Sequence, residues 1–264
     1  MKLRRLFTLL AAAVLAACGK PVVDTSSPDA LVDSVAKMRR SLEPEELARF
    51  DDAFNELTNG ALLAGNPESL RLQVQECTAV SHMDAEQIVR TAWTNRVTRI
   101  RSRIDELQRQ HDGSAEARAV VARMEVEKAT FFPVSKDFVE RPILEVALDN
   151  RTRRRVFKVT FQASLRRSDV LEPLVVELVD RPFGTGLAPG KRTTVRVELE
   201  EYEWRRHTST EEGVIFSCCV MALEARRGRT IARSDFGAAE ENLLDALGKR
   251  LTELEANNPF ERLQ

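Results

Sequence analysis

The sequence predicts an α+β chain: an N-terminal helical part, then an antiparallel immunoglobulin-like β-sandwich, then a C-terminal helix. Three observations lead there. Apolar residues recur every three or four positions from Leu31 to Leu107, the period of amphipathic helices. From Met124 the period drops to two, and several short alternating runs follow at hairpin spacing without helix-length segments between them, which favours antiparallel strands over βαβ units. Helical spacing returns at Leu244, Leu247, Leu251 and Leu254.

The N-terminus carries an address. Lys2, Arg4 and Arg5 precede the uncharged run Leu6–Ala17, a basic region followed by a short apolar one, as in an export signal. The run is well short of the roughly 20 residues a spanning helix needs. It ends in Leu15-Ala16-Ala17-Cys18, which resembles the lipobox of bacterial lipoproteins. The resemblance implies cleavage before Cys18 and acylation of that residue. Several acyl chains on one residue hold a protein firmly to a bilayer. We therefore expect a signal peptide over 1–17, lipidation at Cys18 and a lipid-anchored, periplasm-facing protein of the bacterial envelope. Gly19 after the cysteine resembles the pattern for sorting to the outer rather than the inner membrane.

Residues 18–27 show no helical period and read as a tether. The helical domain is expected over 28–112. Ser27-Pro28-Asp29 combines a capping residue, a proline at the first helical position and an early acid, and Leu31, Val35, Met38 and Leu42 form one stripe. Pro44-Glu45-Glu46 starts a second helix, with stripe Leu47, Phe50, Phe54 and Leu57, and the pair reads as a helix hairpin. Residues 68–76 read as a short helix. A long helix begins after Asp84, its cap, carries Val89, Trp93, Val97, Ile100, Ile104 and Leu107, and ends at Gly113.

The sandwich domain is expected over 124–236. Ile143–Leu148 and the alternating Phe157–Leu165 read as partner strands, joined through Asp149-Asn150-Arg151-Thr152, where Asn150 tolerates a turn conformation. Leu174–Val179, Val195–Leu199 and Thr230–Arg233 are further strands. Val214–Leu223 is apolar on both faces, so it should be central or covered on both sides. The final helix, 238–257, is expected to pack along residues 89–107.

Several of these segments together resemble an uncharacterised family of small bacterial lipoproteins. They are Ser27-Pro28-Asp29-Ala30-Leu31, Met38, Ser41-Leu42, Glu45-Glu46, Phe50 and Ala53, then Asp84–Ile88, Leu148–Thr152 and Gly186–Gly190. The resemblance implies a lipobox, a helix hairpin, a further helix and a β-rich region. It brings no activity with it.

The chemical candidates are few. With 40 basic and 41 acidic residues, less the three basic residues of the signal, the chain has no field for nucleic acid. The glycines of Phe183–Gly190 are followed by a strand, not a helix N-terminus, so they read as a turn and not as a phosphate cradle. Cys218 and Cys219 are adjacent on a strand and face opposite ways; they read as small buried hydrophobes. With Cys77 they make an odd set, and no bridge is expected. His82, five residues after Cys77, does not have a zinc spacing, and no Gly-x-Ser-x-Gly occurs. No metal, cofactor or catalytic residue is expected. Arg96, Arg99 and Arg103 flank the long helix's stripe, either as a partner-facing basic surface or as a solvated flank partly paired with Glu106. The expected function is a non-catalytic binding or scaffold module, attached to the membrane through Cys18 and binding another envelope protein or a ligand. The alternative is an envelope hydrolase using paired carboxylates.

Overall fold

The computed structural model describes residues 20–136, 139–207, 211–258 and 260. The expected signal peptide over 1–17 and the expected lipidation site Cys18 lie outside the described residues. Two compact units are formed: one runs to Thr98 and takes in Phe260, the other starts at Arg99.

The first unit begins with an exception to the expected tether. Val23 is fully buried. Its N–H donates to the Met83 carbonyl at 3.0 Å and its own carbonyl accepts from His82 N–H at 2.8 Å, while Val22 forms an antiparallel bridge with Asp84. Two valines without a helical period are a short strand-like clip, and the partner that orders them lies some 60 residues along the chain. Helix α1 (Pro28–Arg40) follows, its cap Ser27 accepting from Ala30 N–H at 3.1 Å. It buries Leu31, Val35 and Met38, the expected stripe, and Val32 beside them. Helix α2 (Pro44–Leu57) buries Phe50 and Phe54, with ring centroids 5.6 Å apart. Arg39 of α1 grips Asp51 of α2 with two bonds of 2.9 and 2.8 Å. Short 3-10 turns at Pro67–Leu72 and Glu76–Val80 take the place of the single short helix expected at 68–76. Helix α3 (Ala85–Gly113) starts on a reciprocal cap: Gln87 N–H donates to the Asp84 carboxylate at 2.8 Å, and Asp84 N–H to the Gln87 side chain at 2.9 Å.

The second unit holds the rest of α3, helix α4 (Ala115–Val121), seven strands and the last helix. The strands are β1 (Met124–Lys136), β2 (Val139–Asn150), β3 (Val156–Arg167), β4 (Val175–Leu187), β5 (Arg192–Glu198), β6 (Val214–Glu224) and β7 (Thr230–Arg233). They make two antiparallel sheets, ordered β1-β2-β5 and β4-β3-β6-β7. One apolar cluster takes side chains from both: Leu144, Val146 and Leu148 of β2, and Val159, Phe161, Ala163 and Leu165 of β3. Phe131, Trp204 and Phe216 close it, with ring centroids 5.1 to 6.3 Å apart. Trp204 Nε1–H is satisfied by the Glu177 carboxylate at 2.8 Å. β6 is an inner strand, as its two-sided apolar pattern predicted.

Two local expectations are corrected. Asn150 has no left-handed backbone. It is fully buried, and its side chain donates to the Arg154 and Leu187 carbonyls while accepting from Thr152. It thus ties the end of β2 to the end of β4. The glycine-rich stretch is mostly strand, because β4 runs to Leu187; only Pro189-Gly190 turns, with Gly190 at φ +71°.

Helix α5 (Ala238–Ala256) covers the outer face of β3 and β6. That is why Gln162 and Ser164, polar positions in the alternating pattern of β3, are buried as well. Its leucines Leu243 and Leu247 are buried with Ile100, Leu107 and Phe236, while Ile104, Leu244, Leu251 and Leu254 pack around them. The helix therefore meets the second half of the expected surface. Trp93 and Val97 belong to the first unit, where the Phe260 ring lies 6.4 Å from that of Trp93.

Candidate functional site

Among the clefts of the second unit that carry ionisable side chains, two bear on the residues singled out in the sequence. The first, of about 330 Å³, lies along β6 where it meets the start of α5, and Arg118, Glu125, Cys218, Cys219, Phe236 and Glu241 line part of it. β7 pairs only with Ala222–Glu224, so the earlier part of β6 has β3 as its ladder partner. A helix start beside two cysteines would suit an anion or a reactive thiolate. The local bonding is different. Glu240 accepts from Gly237 N–H at 2.9 Å, the Cys219 sulfur from Ala238 N–H at 3.2 Å, and the Gln162 carbonyl oxygen from Ala239 N–H at 2.9 Å. Gln162 in turn donates to Glu240 at 2.9 Å. The amides that would hold an anion are already satisfied. Burial pushes the Cys218 thiol up to about 12, and burial also raises Cys219 against the Ala238 hydrogen bond. Both stay protonated near neutral pH, so neither is an activated nucleophile. Cys77, buried in the first unit, is pushed up to about 11 by burial. All three are free thiols.

The second cleft, of about 600 Å³, lies on the outer face of the four-stranded sheet. It contains a pair of carboxylates. Lys158 Nζ sits between Asp180, at 3.1 Å, and Glu224, at 2.6 Å, and Thr160 donates to Asp180 at 2.6 Å. The register sets this up: Lys158 pairs with Glu224 and Thr160 with Asp180 across neighbouring strands. The Thr160 hydroxyl, with Lys158, holds Asp180 below the usual carboxylate range. A general acid must be displaced the other way. The other displaced carboxyls also move down: Asp24 through Ser26, Glu86 through Lys20, Asp112 through His111 and Asp169 through Arg167. On the same cleft Val176 and Leu178 of β4 are 40% and 57% exposed, an apolar patch on an edge strand.

The basic flank of α3 is engaged within the protein. Arg96 donates to Glu56 and, at 3.1 Å, to Asp52; burial opposes its charge, and the bonds to Glu56 and Asp52 outweigh it and hold its pKa above the ordinary value. Arg103 reaches Glu106 at 2.9 Å, and Arg99 is not free either. Among the histidines, His111 pairs with Asp112 and stacks edge-on to Phe236 at 5.1 Å, and His207 pairs with Glu211. Among the described residues no three His, Cys, Asp or Glu side chains come together to hold a metal ion. Sequence reasoning missed the Lys158–Asp180–Glu224 set and the Gln162 cap of α5. The first has a signal only once the strand register is known, and the second joins positions 77 residues apart.

Compared with protein-family models, curated proteins and solved structures, the chain matches none.

Proposed function

We propose that this protein is a non-catalytic, lipid-anchored binding or scaffold module of the bacterial envelope, facing the periplasm, at the outer rather than the inner membrane. The Leu15–Cys18 lipobox behind a basic, short apolar leader carries the address. The resemblance to the uncharacterised lipoprotein family supports the same reading. The β part supports an immunoglobulin-like sandwich. Taken in chain order, β1-β2-β5 and β4-β3-β6-β7 follow the A-B-E and C′-C-F-G strand orders of that architecture, which commonly presents binding surfaces on cell-surface proteins.

The observation that favours binding over hydrolysis is electrostatic. The carboxylate pair of the second cleft is clamped by Lys158, and Asp180 is stabilised as the anion. The exposed Val176 and Leu178 beside it suit a protein partner better than a reacting bond. Affinity capture of the acylated protein from crosslinked envelopes tests the reading. Recovery of a defined envelope protein, lost on Leu178→Asp, supports it; hydrolysis of envelope material abolished by Asp180→Asn overturns it in favour of the enzyme.

A further inference from the structure

The folded body starts almost at the lipid attachment point. Lys20 pairs with Glu86 at 2.8 Å, Val22 bridges to Asp84, and Val23 is buried with both of its backbone groups bonded. The chain stays docked from there to α1: Asp24 N–H donates to Ser34 Oγ at 3.0 Å, and Thr25 and Ser81 hydroxyls meet at 2.8 Å. Only two residue steps separate Cys18 from Lys20, at most about 7 Å of extended chain, and four separate it from Val22, about 14 Å. The polar layer on each side of a bilayer's hydrocarbon is about 5–7 Å deep. An acylated Cys18 lies at that layer, so a leash this short lifts Val22 at most about 7–9 Å beyond it even when fully extended, less than the roughly 10 Å thickness of a single helix.

We infer that the first unit lies directly against the bilayer surface, on the face formed by Lys20, Val22 and the start of α3 at Asp84–Glu86. This rests on acylation of Cys18 as proposed above. The occupant of that face is lipid, because the length of free chain leaves no other layer room between them. Its charges are balanced: Lys20 and Arg90 stand with Asp84 and Glu86, and Glu86 holds both cations. The contact therefore does not require anionic headgroups. Val22, 44% exposed although its backbone is bridged, puts an apolar side chain at the water–lipid boundary.

Lysine footprinting tests this with native residues. The acylated full chain on phosphatidylcholine vesicles is treated with a membrane-impermeant sulfonated succinimidyl ester, and labelling of Lys20 is read by mass spectrometry against an added free peptide. Cys18→Ser protein in solution and an acylated variant with about 15 Gly/Ser residues inserted between Gly19 and Lys20, spanning about 20 Å, serve as comparisons. Lys20, 68% exposed in the protein alone, should label several-fold more slowly on vesicles than in solution, and the insert should restore its labelling. An acylated, vesicle-bound chain whose Lys20 labels at the solution rate overturns the inference and leaves the lipoprotein reading standing, as does an insert variant that stays shielded. A mature chain without an acyl group on Cys18 overturns both.

Discussion

At Gly237 an added Cβ would lie 2.5 Å from Met221 Sδ, 2.6 Å from Gln162 Oε1 and 3.0 Å from Cys219 Sγ. The backbone there is extended, so space and not conformation demands glycine. Gly237→Ala pushes on the side chains that cap α5 and should cost about 1–3 kcal/mol, read as a lower urea midpoint at unchanged slope. The cysteines make a second residue-scale prediction. With Cys218 at about 12 and Cys77 at about 11, alkylation of the native body at pH 8 should be slow. Denaturation without reductant should expose Cys77, Cys218 and Cys219 together, and mass spectrometry should find all three modified. A body with only one modified thiol would mean a bridge joins the other two. The opposite facing of Cys218 and Cys219 was legible from strand geometry; the amide that the Cys219 sulfur accepts was not, since it comes from a helix start 19 residues on.

Elements with an uninterrupted period were legible in the sequence, and interrupted ones were hidden. α1, α2 and α3 announced themselves by stripe and start signal, and α5 by its stripe. β1 showed only its start: the period drops to two from Met124, but the register shifts between Val126 and Lys128 and Pro133 stands within the strand, so its extent was not legible. α4, at seven residues, is too short to show a helical period. The Val22–Val23 clip is legible only with its partner, and Arg96 finds Glu56 and Asp52 from another helix. On α5 the stripe was visible but the depth of each leucine was not. Leu247 is 5% exposed and Leu251 only partly buried, so Leu247→Ala should cost about 2–5 kcal/mol and Leu251→Ala clearly less. Equal costs by urea denaturation would show that the stripe is buried evenly.

For the molecule as a whole, the proposed lipid anchoring makes attachment depend on one atom, the Cys18 sulfur. Among the described residues no helix is long and apolar enough to cross a membrane, and the charges around Lys20, Asp84, Glu86 and Arg90 are balanced, so no basic patch there substitutes for a lipid. One acyl chain gives marginal binding and several give firm anchoring. The face around Val22 adds one exposed valine, worth no more than about 1–2 kcal/mol even if wholly buried, far too little to hold a protein of 264 residues on a bilayer. Cys18→Ser should therefore abolish incorporation of a clickable fatty acid. It should also leave any processed protein in the soluble fraction, with a melting temperature close to that of the delipidated wild type because the clip at Val22–Val23 stays intact. Unchanged fatty-acid incorporation would end the lipoprotein reading. Loss of the label with retention on membranes would mean that a protein partner holds the body there.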